Sequence, residues 1–480
     1  MSYELSMQAI SMKKFFEEGR MRELRSLEEL YGNDEFTFAV VYGRRRVGKT
    51  SLINEFISRN DKKTISFTAT ENTDIVNLEK FSQKIFEVYP ELSSIRSFPT
   101  WESAFDYVAK RSEQEKLILV IDEFPYLAKA NPAISSELQR HIDLFLQNTN
   151  MMLILCGSSM SFMEKQVLGY ESPLYGRRTA QYRVMPLDYY DSAAFFENTS
   201  MEDRLLGYAV TGGIPQYLKV ISKERTVEKG IEKAFFTKEG FLYEEPHNLL
   251  KQELREPALY NAIITTIANG ATKLTEIASK VKEEDSKVAK YIKNLIHLGI
   301  LEKELSMFAK NERDGIYRIK DNMYRFWHRF VPDNVTLIES GYERVYENRV
   351  KQFIPDYMGH VFEAVCKQYL LRLNAKDMLP FLFDTIGGWW GGNPITKKGT
   401  EIDIVASSKD GRMIVGECKW KNKETGCDVY KGLKEKEIVL PGKDIHYFLF
   451  SRSGFTPALK DEAKDDARLT LVTLNDLFTI

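Results

Sequence analysis

Three short, mostly apolar runs mark the first third of the chain: Phe36 to Tyr42, Leu117 to Ile121 and Met151 to Cys156. Each is too short for a helix and shows no polar alternation, which is the pattern of a strand buried on both faces. Between them Ser51 to Arg59, Leu78 to Val88, Trp101 to Lys110 and Ser135 to Gln147 have helical periodicity. Ile65 to Thr68 adds a short β-prone run, and Met21 to Leu30 reads as a helix ahead of the first strand. Strands alternating with helices predict an α/β fold: a parallel sheet covered on both faces, with ligands at the carboxyl ends of its strands. The polar motifs fall at those ends. Gly43 follows the first run, Asp122-Glu123 the second and Gly157-Ser158-Ser159 the third.

Farther on, the pattern changes. Residues 190 to 255 read as helices interrupted by Thr211-Gly-Gly-Ile-Pro215. Ala258 to Asn269, Lys273 to Lys280 and Ser286 to Leu298 are helical, and Ile300 to Glu304 with Gly315 to Lys320 predict a hairpin. Gly299 is placed to stop the third helix in a left-handed conformation. This succession predicts a winged helix-turn-helix over 257–330. In its third helix Val288, Ile292 and Leu295 share an inner face, while Lys287, Lys290 and Asn294 share another suited to phosphate and groove contacts. The competing reading is a solvated helix face, or a module that connects proteins. The remaining boundaries are expected at 1–195 for the first α/β core, 196–256 for a helical lid, 331–354 for a connector and 355–480 for a second α/β domain.

Composition changes this picture little. A chain of 480 residues is long enough for about three domains. Its net charge of −2 provides no global field to attract nucleic acid or an anionic membrane. Cys156, Cys366, Cys418 and Cys427 are scattered without metal-ligand spacing, as are the six His. Reduced, buried thiols and no zinc site are therefore expected. Without a basic-then-apolar leader or 18 consecutive apolar residues, the expectation is a soluble cytoplasmic protein with no membrane partner.

Gly43-Arg-Arg-Arg-Val-Gly48-Lys49-Thr50 fits GxxxxGK[ST] between a strand and a helix. Backbone N–H groups of such a loop wrap phosphates, with the helix dipole behind them. Gly43, Arg44, Arg45, Arg46, Val47, Gly48, Lys49, Thr50 and Ser51 are thus the candidate ATP-binding residues. Lys49 is assigned to the β/γ-phosphates and Thr50 to Mg²⁺. Asp122, ending a hydrophobic strand, is the second Mg²⁺-directed group, and Glu123 is placed to orient or deprotonate water. Ser158 or Ser159, with Ser159 as the named candidate, would sense the γ-phosphate.

VYGRRRVGKTSLINEF, LILVIDEFPYL, LILCGSSMSFM, PLYGRRTAQYRVMPL and TGGIPQYL together resemble the prokaryotic archaeal-type ATPase family, related to AAA+ and STAND NTPases. The resemblance implies Gly19 and Arg20 in an adenine-side pocket. It also implies Arg177 or Arg178 as a charge-stabilising arginine, in cis or from a neighbour, and Gly213 and Pro215 as a lid motif. GGIPQ carries no basic residue where many AAA+ lids place a second sensor arginine.

In the last domain Glu401-Ile-Asp403 and Glu417-Cys-Lys419 lie on strands that a turn through Ser407 to Gly411 makes adjacent. Glu401 and Asp403 are expected on one face, as are Glu417 and Lys419. Asp403 and Glu417 are candidate ligands for a second Mg²⁺ or Mn²⁺, with Lys419 to orient or deprotonate water. These motifs, with Glu363 in the preceding helix and the GGWWGG segment, resemble the PD-(D/E)xK nuclease core, although Ile402-Asp403 replaces its Pro-Asp. The resemblance implies a restriction-endonuclease-like fold that cleaves or only binds. Two functions follow as expectations. One is an ATP-hydrolysing, DNA-associated enzyme; the other is a STAND-like switch acting on a protein partner through an inactive nuclease fold, with homo-oligomerisation open.

Overall fold

The structure, a computed structural model, describes residues 19–59, 62–92, 94–442 and 444–479. The expected lack of a leader concerns residues outside these. The chain divides into two compact units. One runs to Pro186 and includes Ile214–Gln216; the other comprises Leu187–Gly213 and Tyr217–Ile480.

The first unit is built on a five-stranded sheet: β1 (Thr37–Tyr42), β2 (Thr64–Thr68), β3 (Ile118–Asp122), β4 (Met152–Gly157) and β5 (Ala180–Arg183). The spatial order is β2-β3-β4-β1-β5, and all four pairings are parallel. Every residue of β1, β3 and β4 is buried, as their mostly apolar runs require for strands covered on both faces. Edge strands β2 and β5 alternate instead. The sequence gives no expectation for β5, because Ala-Gln-Tyr-Arg is short and half polar. Against one face Phe67 of β2 packs on Phe81 and Trp101, and Phe81 in turn on Phe105. Helix α1 (Lys49–Ser58) starts two residues into the GK[ST] end of the phosphate loop and buries Lys49, Leu52, Ile53 and Phe56.

In the second unit α2 (Met201–Thr211) leads to Gly212 and Gly213, both left-handed. Three helices follow, Pro257–Ala268, Leu274–Val281 and α3 (Asp285–His297), then an antiparallel hairpin of β6 (Leu301–Glu304) and β7 (Ile316–Ile319). Gly299 has φ 71°, as the expected helix stop requires. The loop of this hairpin is docked. Met307 N–H donates to Gly388 O at 2.8 Å, and Ser306 Oγ bonds both the N–H and the carbonyl of Trp390.

Helix α4 (Ile354–Ala375) then precedes a second five-stranded sheet: β8 (Thr385–Gly392), β9 (Gly399–Ser407), β10 (Arg412–Lys419), β11 (Asp444–Ser451) and β12 (Leu469–Thr473). Its order is β12-β11-β10-β9-β8. The first three strands in sequence are antiparallel; β10, β11 and β12 are parallel. Helix α5 (Cys427–Glu435) links β10 to β11. The segment 187–213 is fastened to this domain. Arg372 of α4 pairs with Asp188 and Asp191, Tyr357 hydroxyl donates to Ala209 O at 2.7 Å, and Tyr189 hydroxyl to Leu477 O at 2.7 Å.

Gly213, at φ 73°, sits so close to Leu187 that an added Cβ would lie 1.9 Å from its carbonyl oxygen. Gly213→Ala therefore lowers stability by about 2 kcal/mol or more. Urea unfolding of the full chain checks this, and an unchanged midpoint would contradict the close approach.

Candidate functional site

The phosphate loop leaves β1 through Gly43, where a Cβ would meet Val184 O at 2.4 Å, so only glycine fits. Arg46 and Gly48 are left-handed, at φ 68° and 91°, and these two turns wind the loop into the start of α1. Lys49 is 6% exposed, and its ammonium donates to Gly43 O at 3.0 Å and Arg44 O at 2.9 Å, inside the loop. Thr50 hydroxyl donates to Asp122 Oδ2 at 2.8 Å, joining α1 to the end of β3. An open cavity of ≈ 530 Å³ borders this pair and extends over Ser66 and Thr68. Asp122 Oδ1 accepts Glu123 N–H at 2.9 Å, and Glu123 itself is left-handed, at φ 52°. Its carboxylate accepts Ser158 hydroxyl at 2.9 Å. Ser158, buried at the end of β4, is therefore the serine joined to Glu123. Ser159 instead stands at the start of a short helix and makes no side-chain cap bond. Burial, reinforced by neighbouring Asp122, holds the Cys156 thiol well above its ordinary range.

The tandem arginines lie elsewhere. Arg177 forms a two-pronged pair with Asp143, 2.7 Å at each contact, and also bonds Pro173 O. The adjoining Thr179 is level with Phe38, its N–H on Phe38 O at 2.8 Å. Phe38 is five residues before Gly43, roughly 16 Å at the rise of a strand. Both arginines thus precede β5 at the amino end of the sheet; Arg177 is committed to Asp143, while the charge of Arg178 reaches Tyr42, the residue before Gly43. Arg20, 4% exposed, bonds Val47 O at 3.2 Å and Met185 O at 2.6 Å, and Gly19 precedes it. Arg45 bonds Tyr126 hydroxyl at 2.8 Å. Pro215 begins the helix Pro215–Ile221.

A second polar cluster forms where β9 and β10 part. A register shift between Gly387 and Trp389 falls opposite Asp403 and Ile404, and the β9–β10 ladder ends at Gly416–Ile404. Beyond it Asp403 Oδ2 accepts the N–H of Cys418 at 2.8 Å. Such irregularities re-aim side chains. Glu417, on β10, receives Lys419 Nζ on Oε1 at 2.6 Å and Lys436 Nζ on Oε2 at 2.9 Å. Burial, then Glu417, raises the Asp403 carboxyl to about 6; burial, then Asp403, raises Glu363 of α4 to about 7. Burial opposes the charge on Glu417, but its lysines overcome this and lower its pKa. Among the described residues no group of three or more Asp, Glu, His or Cys is set to hold a metal ion.

Residues 16–221 match an ATPase domain found predominantly in Archaea, and residues 327–436 match a domain of archaeal and bacterial proteins of unknown function. An uncharacterized protein of Methanocaldococcus jannaschii is 32% identical over 467 residues, covering 95% of this chain and 99% of its own. The chain belongs to this archaeal ATPase family. It is an ATP-binding ATPase, and the loop geometry suits the Mg²⁺ dependence usual in such enzymes. The fold of a Walker-type ATPase of Pyrococcus abyssi is similar, with TM-score 0.51 and 20% identity over 65% of this chain and 96% of that one. The Aeropyrum pernix ORC2 protein aligns over 67% of this chain and 95% of its own at TM-score 0.39 and 13% identity, too distant to carry an argument.

In this ATPase the structure joins Lys49, Thr50, Asp122, Glu123 and Ser158, and separately Asp403, Glu417 and Lys419 with Glu363 in their field. Asn294, expected to face a groove, instead donates to Tyr260 hydroxyl at 2.6 Å, and Lys287 pairs with Glu283 at 2.9 Å. The sequence did not signal Lys436, one more lysine in a charge-rich helix end. Nor did it signal that Cys366 and Cys418, distant in the chain, lie close enough to shift each other's titration. Among the described residues no helix is long and apolar enough to cross a membrane.

The raised Glu363 carboxyl has a direct consequence. Below the unfolded pKa both states are protonated; as pH rises toward 7, only the unfolded chain ionises, so stability falls. Glu363→Gln should remove on the order of 2 kcal/mol of that loss between pH 4.5 and 7.5. Unfolding midpoints across this range check it, and parallel curves for variant and parent would refute it.

Proposed function

We propose that this ATPase uses nucleotide hydrolysis to control a C-terminal domain that binds nucleic acid and cleaves it. The observation that carries the reading is the meeting of Asp403, Glu417 and Lys419, beside Glu363, where β9 and β10 part. Support for the fold assignment is the helix–three-strand–helix–strand–helix–strand succession around them, and for a winged helix the three helices and hairpin at 257–319. The recognition surface is narrower than the sequence suggests, resting on exposed Lys290 and Lys293.

At the ATPase site Lys49 holds the β/γ-phosphates, while Thr50 and Asp122 hold Mg²⁺, which neutralises phosphate charge when bound. Glu123 positions the attacking water, and Ser158 fixes the Glu123 carboxylate. Gly19, Arg20 and Pro215 border the base. Arg178 is the arginine that acts on the γ-phosphate, supplied to a neighbouring copy, because Arg177 is committed to Asp143. In the C-terminal site Asp403 and Glu417 would hold Mg²⁺ or Mn²⁺, which polarises a scissile phosphate and its water. There Lys419 orients that water or takes its proton.

A second reading, a nucleotide switch with a protein partner, is favoured by one observation. The hairpin loop that would serve as a wing is already bonded to β8 through Ser306 and Met307.

Glu123→Gln should keep ATP binding but cut turnover about a hundredfold or more. Arg178→Ala should lose turnover and be rescued by mixing with Lys49→Ala chains, which supply the arginine; absence of rescue would remove the trans assignment. Mg²⁺-dependent nicking of DNA or RNA should vanish in Asp403→Ala and in Lys419→Ala. No cleavage by the parent on either substrate, with or without ATP, would leave the switch as the better reading.

A further inference from the structure

Resting on the nucleic-acid reading of the C-terminal site, we infer that Lys436 occupies the cation position on Glu417 and is released to grip a substrate phosphate when a divalent cation takes that position.

Glu417 is the centre of the argument. Its side chain is 11% exposed, and each oxygen has its own ammonium, Lys419 on Oε1 and Lys436 on Oε2. One lysine suffices to neutralise one carboxylate. A second is expected only where further negative charge lies close, and Asp403 supplies it: the charges of both lysines reach that carboxyl. The two lysines differ in how they are held. Lys419 is part of β10, fixed between the Cys418 N–H that binds Asp403 and the carbonyl that accepts Arg452 N–H at 3.0 Å. Arg452 in turn pairs with Glu202 of α2 at 2.9 and 2.7 Å and covers Trp420, so the end of β10 is braced. Lys436 comes from outside the sheet, at the carboxyl cap of α5, where a single-turn helix Lys436–Val439 begins. Its long side chain can swing without moving a strand.

Charge then sets the order of events. A divalent cation shared by Asp403 and Glu417 needs a lone pair that Lys436 now holds, and it repels an ammonium 2.9 Å from that oxygen. Displaced, Lys436 has no carboxylate to return to while the cation stays. It remains tethered beside the cluster, where a phosphodiester oxygen offers the next charge-assisted bond. Lys436 is thus a substrate-binding residue, while Lys419 stays at the water.

The test compares Lys436→Met and Lys436→Arg with the parent full chain, without nucleotide. Mn²⁺ affinity is read by calorimetry; the ATPase loop is common to all three, so differences belong to the C-terminal site. Lys436→Met should bind Mn²⁺ about fivefold tighter, because the competing ammonium is gone. It should also lose about tenfold in affinity for a short DNA duplex in Ca²⁺, which Lys436→Arg retains. Mn²⁺ affinity unchanged or weaker in Lys436→Met, at an unchanged melting temperature, would overturn the competition. Tighter Mn²⁺ binding with unchanged duplex affinity would overturn the phosphate grip. If the parent binds no duplex in Ca²⁺, the nucleic-acid reading and the grip fail together, and the Mn²⁺ comparison alone still decides the competition.

Discussion

A charge at the end of a buried strand must be matched locally, because burying it unpaired costs more than any single packing contact returns. Both α/β sheets of this chain are organised around that constraint. In the first, β3 is apolar until Asp122, 5% exposed, which is met by the Thr50 hydroxyl and the Glu123 N–H. In the second, β10 is uncharged from Met413 to Gly416 and ends in Glu417 and Lys419, which meet each other. The apolar residues fix where each strand lies, and that placement carries the charge to the rim of the sheet. There a phosphate or a cation can compete for the partner. The left-handed backbone of Glu123 fits the same logic, since the turn that aims its carboxylate at Ser158 is too tight for an ordinary strand exit.

The second unit adds a mechanical constraint. Chain leaving β5 enters it at Leu187, returns for Ile214–Gln216 and re-enters at Tyr217. Between those crossings α2 is bound to the C-terminal domain by Arg452–Glu202, Tyr357 to Ala209 and Gln368 to Tyr208. Arg452 also donates its backbone N–H to the carbonyl of Lys419. A helix expected from sequence as a lid thus has its partners on the C-terminal domain. Its displacement would act on β10 through one residue.

What was legible in the sequence follows from the same physics. Mostly apolar runs identified β1, β3 and β4, and the phosphate loop with Asp122 and Glu123 came with them, because local spacing encodes local chemistry. Edge strand β5 was hidden by its polar alternation. The choice between Ser158 and Ser159 turns on which way one loop residue faces, and sequence leaves that open. Arg177 and Arg178 carry identical chemistry; only Asp143, 34 residues upstream of Arg177, separates their roles. Alternation placed Asp403 and Glu417 near each other, but the irregularity opposite Asp403 and the arrival of Lys436 from α5 are long-range facts.

The lysines of the two sites show why position alone does not define a role. Lys49 donates to two backbone carbonyls of its own loop, neutral partners that a polyphosphate outbids with full negative charge. Lys436 is bonded to a carboxylate, a partner as charged as a phosphodiester, and exchange of one for the other offers little by itself. On the proposed reading a third charge, the divalent cation, has to enter first, and until then Glu417 is neutralised by its two lysines.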